Sequence, residues 1–401
     1  MKSDQPVYLS ALGIVSALGR GKQQVLRNLF AGLRPGIVPR TDFLIGGASV
    51  FVGQVDGPLP LGPAALSVYS SRNFGLSIVA VDEIREDIDE SISRYGRHRI
   101  AVVMATCTSG IAEGERAIKG AMAEGRLPDN FDVRVQEIGS TSEALACYLG
   151  LEGPAISVST ACSSGAHALA MGRRLIRTGL ADAVLAGGAD SLCQLTVNGF
   201  QALSAQSAGL CNPFSRNRDG TIMGEGAAIF LMDKRESELA LLGSGASTDA
   251  YSMTAPEPEG QEVEAAIRRA LKDAGLSSEA IDYVQLHGTG TLQNDAMESK
   301  VMTRIFGPRI PCSSSKGQIG HSLGAAGAMG AAHCWLAAHS DNQDRFLPPH
   351  LWDGEADAGL MSDNLVSVGD RLTDSARGIF MSNAIAFGGN NTALILGSPN
   401  R

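Results

Sequence analysis

Apolar and polar positions divide the chain into short apolar runs separated by longer amphipathic segments. Runs of strand length are "RIAVVMATC" (99–107), "AISVST" (155–160), "DAVLAGGA" (182–189), "DYVQLHG" (282–288) and "GIFMSNAIAF" (378–387). The first apolar stretch, "VYLSALGIVSALG" (7–19), is interrupted by Ser10, Gly13 and Ser16, which predicts a buried strand and turn rather than the unbroken apolar region of a signal peptide. The plainest helix is 262–274. There Val263, Ala266, Ile267, Ala270, Leu271 and Ala274 recur at i, i+3, i+4, i+7, i+8 and i+11, and Gly275 supplies the stop. Strands alternating with helices of this kind predict a layered α/β fold.

The pattern weakens from Asp233 to about Gly260, through "DKRESE" and "GSGASTDAYSMTAPEPEG", where turn formers accumulate. This places a junction between two halves, 1–240 and 241–401. Each half carries strands followed by helices of similar size, which permits an internal duplication, although no residue-level repeat is visible.

Composition narrows the class. The 401 residues, 44% of them hydrophobic, suffice for a large core of two or three packing units. A net charge of −9 excludes a protein that coats nucleic acid or anionic membrane, since either surface calls for a basic face. No stretch reaches the roughly 18 uninterrupted apolar residues of a membrane span. Seven cysteines without a C-x-x-C pair suit free thiols in a reducing cytoplasm, where the chain is expected to reside.

One cysteine stands out by position. In "STACSSGAHAL" (159–169), Cys162 sits between a strand ending at Thr160 and a helix expected from near Ser163. Unpaired N–H groups and the positive end of a helix dipole favour a thiolate there, so a lowered pKa is expected. The alternative is a small buried residue that fills space. Two further stretches bear on the choice: "YVQLHGTGT" brings His287 to a strand end, and "SSSKGQIGHSLGAAGA" brings Lys316 and His321, the histidine opening a helix rich in Gly and Ala. Either histidine alone could be a structural side chain. No metal-ligand spacing is present, His333 and His339 standing six apart, and no G-x-x-x-x-G-K-[ST] loop calls for a nucleotide.

Taken together, "STACSSGAHAL", "NPFSRNRDGTIMGEGAA" (212–228), "STDAYSMTAPEPEG", "HGTGTLQND" (287–295), "KGQIGHSLGAAGA" and "SNAIAFGGNN" (382–391) resemble, in order and spacing, the β-ketoacyl-acyl carrier protein synthases, the condensing enzymes of fatty acid and polyketide synthesis. The likeness covers nearly the whole chain. It implies a thiolase-like fold of two related α/β halves in five layers, αβαβα, as a homodimer or as a heterodimer with a ketosynthase-like subunit. It implies acyl- and malonyl-loaded acyl carrier protein as partners and no cofactor or metal.

The resemblance also implies roles. Cys162 attacks an acyl thioester; His287 and His321 donate hydrogen bonds to the malonyl thioester oxygen as carbon dioxide leaves; the N–H groups of Cys162 and Phe387 hold the oxyanion; Lys316 supports the histidines, with Glu298 as its charge partner. Asp295 and Glu298 have the spacing of a capping box as well, so both are also expected to start the helix before "SKVMTRI". Two other readings stay open, a non-catalytic chain-length partner and a coenzyme A thiolase. The retained nucleophile speaks against the first. The absence of a cysteine in the late hairpin "AIAFGGNN" speaks against the second.

This chain departs from the family pattern at Thr221, where the family carries phenylalanine, at Leu292 for proline, and at Gly330 for glutamate nine residues beyond His321. These departures point to a specialised branch, such as one building polyene or polyketide-like chains. For docking of an acidic carrier, Arg72, Arg116, Lys119 and Arg126 are the candidate basic face.

Overall fold

The structure, a computed structural model, describes residues 5–308, 310–372 and 378–399. Its main sheet is built from two five-strand units. The first comprises β1 (Tyr8–Ser16), β2 (Ile100–Ala105), β3 (Ala155–Val158), β4 (Ala183–Asp190) and β5 (Gly226–Asp233). The second comprises β6 (Ala240–Thr248), β7 (Tyr283–Gln285), β8 (Cys312–Ser313), β9 (Phe380–Ile385) and β10 (Asn390–Gly397).

The strand order is β3-β2-β4-β5-β1 in one unit and β8-β7-β9-β10-β6 in the other, so adding five to each label maps one onto the other. The directions match too: parallel, parallel, antiparallel, antiparallel. The duplication that leaves no residue-level repeat is therefore explicit in the topology. A single antiparallel pairing, Tyr8 with Ala240, joins the units.

Eight helices matter here: α1 (Arg72–Glu83), α2 (Ile111–Glu124), α3 (Ser140–Leu149), α4 (Ser164–Arg177), α5 (Gln194–Ala202), α6 (Gln261–Ala274), α7 (Leu292–Phe306) and α8 (Ala326–Ala338). Helices α4 and α8 lie between the two sheets and against each other, α1 and α3 cover the outer face of the first sheet, and α6 covers the outer face of the second. The result is the five-layer αβαβα arrangement. The central helices approach closely because small residues meet: a Cβ on Gly165 would lie 2.5 Å from the Ala328 nitrogen, and one on Gly327 would lie 2.5 Å from the Ala166 nitrogen.

Helix α6 follows its apolar stripe, with Val263, Ala266, Ile267, Ala270 and Leu271 buried and Gly275 closing it in the left-handed region. The segment from 233 to 260 differs from its reading as turn-rich throughout, because β6 runs through it. Gly243 and Gly245 are small because α6 presses on that strand: Cβ atoms there would come within 2.3 Å of the Ala270 oxygen and 2.0 Å of the Ala266 oxygen. Among the described residues no helix is long and apolar enough to cross a membrane.

Candidate active site

Cys162 occupies a sharp strand-to-helix turn. After β3 the chain passes through Ala161 at φ 52°, and α4 begins at Ser164. A non-glycine residue in the left-handed region costs roughly 1–2 kcal/mol. Local bonds hold the turn: the Thr160 N–H donates to Ser164 Oγ at 2.7 Å, and the Ser164 N–H donates to the Ala161 carbonyl at 3.1 Å. The cysteine is thereby set at the mouth of a helix between the two sheets, with its thiol buried.

Both histidines arrive from the second unit. His287 lies two residues past β7, where its backbone N–H and that of Gly288 donate to the two oxygens of Glu298, each at 2.8 Å. His321 lies in the loop before α8, its N–H donating to the Ile222 carbonyl at 2.7 Å and its carbonyl accepting from Gly224 at 2.9 Å. It precedes α8 by five residues rather than opening it.

The three groups converge. His321 Nε2 stands 2.9 Å from Cys162 Sγ, the imidazole planes of His287 and His321 meet edge to face with centroids 5.5 Å apart, and the nearest sulfur and nitrogen atoms of all three lie within 4.8 Å of one another. The backbone N–H groups of Phe387 and of Cys162 itself bear on the sulfur. Lys316 donates from Nζ to the His287 carbonyl, and its charge reaches both imidazoles and the thiol.

Electrostatics corrects one expectation. Burial pushes the Cys162 thiol up to about 11, outweighing Lys316 and the two N–H groups that favour the thiolate. The helix N-terminus does not win here because the sulfur is desolvated on all sides. Burial, followed by the Lys316 charge, holds both histidines well below the usual imidazole range, so they are neutral. A neutral His321 can accept a hydrogen bond from the protonated thiol at rest.

Cysteine and histidine are also zinc-capable donors. The 2.9 Å contact is a hydrogen bond, however, whereas sulfur and nitrogen ligands of one tetrahedral zinc stand about 3.5 Å apart. The ammonium of Lys316 further opposes a cation. The set fits acyl transfer.

Asp295 and Glu298 do not form a capping box. Helix α7 starts at Leu292 after Thr291 in extended conformation, which puts both acids inside it and turned inward. Asp295 accepts from the N–H groups of Phe214 (2.8 Å) and Gly290 (3.2 Å). Burial lowers the Lys316 pKa and Glu298 is the leading charge that opposes this, but Glu298 grips the His287 loop rather than forming an ion pair with the lysine.

A cavity of about 350 Å³ opens onto these groups, lined among others by Phe200, Thr221, Thr289, Thr291, Leu292 and Phe387. Phe200, on α5, carried no sequence signal. Its ring stacks on Phe387 (centroids 5.3 Å, 14°) and meets His321 edge to face at 6.2 Å. Thr221 is wholly buried in the wall, and Leu292 is 61% exposed at the rim. Gly330 lies inside α8, where a Cβ would stand 2.7 Å from Ser382 Oγ, so a larger side chain must displace that serine.

The basic candidates are separate from this cavity. Arg72, Arg116 and Lys119 line a second depression of about 440 Å³ with Arg40, which sequence reasoning missed; Arg126 is not among its lining. Arg72 is turned onto buried Glu225, Arg116 pairs with Glu113 at 2.7 Å, and Arg126 pairs with Asp129 at 2.5 Å.

Residues 77–237 match the family Beta-ketoacyl synthase, N-terminal domain, and residues 239–351 match Beta-ketoacyl synthase, C-terminal domain. The chain belongs to the β-ketoacyl synthase family. A 3-oxoacyl-[acyl-carrier-protein] synthase 2 from Coxiella burnetii is 30% identical over 97% of this chain and 98% of its own. The tetracenomycin polyketide synthase ketoacyl synthase alpha subunit of Streptomyces glaucescens is 31% identical over 99% and 98%. Among solved structures, a ketosynthase from Xenorhabdus doucetiae in complex with its chain length factor is 43% identical over 98% of both chains, with a TM-score of 0.93. The ketosynthase fold, its five layers and its class, a condensing acyltransferase, follow.

Proposed function

We propose that this ketosynthase joins a Cys162-bound acyl group to malonyl-acyl carrier protein, giving 3-oxoacyl-acyl carrier protein and carbon dioxide. The observation that carries the reading is the convergence of Cys162, His287 and His321 within 4.8 Å at the base of one cavity. In the loading step Cys162 Sγ attacks the acyl thioester carbonyl while its proton passes to the departing carrier thiolate. The N–H groups of Cys162 and Phe387 take the oxyanion.

In the second step the malonyl carboxylate leaves as carbon dioxide, and its bonding electrons form an enolate whose oxygen accepts hydrogen bonds from His287 and His321. Neutral imidazoles suffice for this, and they act on charge that exists only along the reaction path. The enolate carbon attacks the acyl-Cys162 carbonyl and the Cys162 sulfur leaves, to be reprotonated from solvent water. Lys316 and Glu298 hold the His287 loop in place. Halves 1–240 and 241–401 supply the nucleophile and the histidines respectively.

The partner is a chain-length-factor-like subunit in a pathway for polyene or polyketide-like chains, a reading supported by the 43% identity to a ketosynthase solved with such a factor. The acidic carrier docks at the depression bearing Arg116 and Lys119. The reducing cytoplasm is the compartment, in keeping with seven unbridged cysteines. Intact-mass analysis after incubation with a panel of acyl carrier thioesters tests the reaction. An adduct on Cys162, lost in Cys162→Ala, is expected; modification elsewhere, or none with any acyl group, overturns it.

A further inference from the structure

Asp190 closes β4 with its carboxylate fully enclosed, and no cationic side chain among the described residues pairs with it. Five donors hold it instead. Oδ1 accepts from the hydroxyls of Thr106 and Thr108 (2.7 Å each) and from the N–H groups of Cys107 and Thr108 (2.8 Å each). Oδ2 accepts from the Ala325 N–H at 3.2 Å.

The first four donors belong to the loop after β2, in which Ser109 sits at φ 36°. The fifth belongs to the turn after His321, in which Leu323 sits at φ 48°. Between them, a Cβ on Gly324 would lie 2.8 Å from Asp190 Oδ2, 2.9 Å from the Cys107 nitrogen and 3.0 Å from its sulfur. The carboxylate is thus wedged where a loop of the first unit meets the histidine turn of the second. Left-handed backbone at two non-glycine residues persists only where the surroundings over-determine it, and this carboxylate ties both strained loops together.

Its charge has a second consequence. Burial raises the Asp190 carboxyl and the donors on Oδ1 counter the shift; ionised, it adds to the burial that raises the thiols of Cys107, Cys162 and Cys193, against the Lys316 charge at Cys162.

We propose that Asp190 is a positioning residue for condensation: it locks the His321 turn to the Cys107 loop, setting the approach of His321 to Cys162, and it places a negative charge near the sulfur. This rests on the function proposed above.

Asp190→Asn tests it. The amide oxygen can take the four donors at the Oδ1 position, but its nitrogen then faces the Ala325 N–H donor to donor, which frees the histidine turn. Condensation is expected to fall by about tenfold or more while loading of Cys162, followed by intact mass, stays within about threefold. The midpoint for alkylation of Cys162 by iodoacetamide is expected to move to lower pH, because one negative charge near the sulfur is gone while Lys316, His287, His321 and Cys107 remain. Equal losses in both half-reactions, or an unmoved midpoint, overturn the proposal. Should D190N fail to accumulate folded, Thr108→Val removes one donor and keeps the charge; condensation must again fall more than loading, and equal loss overturns. If the wild-type protein loads no acyl group, the proposed function fails, while the alkylation midpoint still decides the role of Asp190.

Discussion

Glu298 grips the backbone of His287 rather than the side chain of Lys316: each of its oxygens accepts one N–H at 2.8 Å, from His287 and from Gly288. A fully buried carboxylate with two charge-assisted hydrogen bonds fixes where the loop places its imidazole. Glu298→Gln replaces one acceptor with a donor facing an N–H. We expect a loss of about 1–3 kcal/mol in stability and a larger loss in condensation than in Cys162 loading. Chemical denaturation together with the two half-reactions checks this, and equal effects on both half-reactions would show that Glu298 does not act through His287.

Lys316 and Asp190 act on Cys162 with opposite sign. Lys316 favours the thiolate, so Lys316→Met should raise the Cys162 thiol above its present value of about 11. Iodoacetamide alkylation at a fixed pH between 8 and 10 should slow, because a smaller fraction of the sulfur is ionised. The pH profile of alkylation in the two proteins is the measurement. An unmoved profile, or one shifted downward, would mean that the ammonium does not favour the thiolate.

The convergence of Cys162, His287 and His321 was legible in the sequence because each sits at a strand end or in a short loop whose small residues are dictated by the turn around it. Cys162, His287 and His321 each carried such a local signature. The resting state of the thiol was not legible: a helix N-terminus is visible in eleven residues, but desolvation comes from side chains more than a hundred positions away. The same distance hid the fate of Arg72, whose partner Glu225 is 153 residues downstream. Strands β5, β6, β8 and β10 were missed for other reasons, β8 because it is only two residues long. Strand β5 is a continuous apolar run that periodicity cannot assign, β6 carries glycines that a packed helix demands, and β10 begins with Asn390 and Asn391.

Phe200 illustrates what packing adds. Its ring is sandwiched between Phe387 and His321, so it fills the space between the hairpin and the histidine. Phe200→Ala should enlarge the cavity beside Cys162, loosen Phe387, and widen the range of acyl groups that load. An aromatic pair contributes about 0.5–1.5 kcal/mol beyond its buried area, so a modest stability loss should accompany it. Mass spectra of the loaded enzyme across the carrier panel would show added bulkier adducts; an unchanged cargo profile would remove Phe200 from the specificity wall.

Buried imidazoles make acid costly. His333 is enclosed, with neither ring nitrogen hydrogen-bonded, and burial followed by the Lys316 charge pushes its pKa down to about 3. In the unfolded chain it titrates near 6.5. The folded state therefore binds fewer protons than the unfolded one between those values, and the stability present above pH 6.5 is lost as pH falls toward 3. His333→Leu removes this linkage. The variant should gain about 2 kcal/mol relative to wild type on going from pH 7 to pH 5, at about 1.4 kcal/mol per pH unit below 6.5. Urea unfolding at the two pH values checks it, and parallel pH dependences would show that His333 takes up its proton without unfolding.

Gly330 and Ser382 define the last test. A glycine inside a helix costs up to about 1 kcal/mol relative to alanine, so Gly330→Ala should stabilise an open site. Here the new Cβ would stand 2.7 Å from Ser382 Oγ, and overpacking a filled interior costs about 1–3 kcal/mol. The serine hydroxyl has no hydrogen bond that rotation would break, yet it must move within a layer enclosed by α8 and the second sheet. We expect Gly330→Ala to be destabilising by about 1–2 kcal/mol, and Ser382→Ala, which deletes the obstructing oxygen, to reverse the loss in the double variant. A double-mutant cycle by urea unfolding measures the coupling. Additive effects would mean that the two residues do not share the contact, and the glycine would then need a reason other than the close approach of α8 to β9.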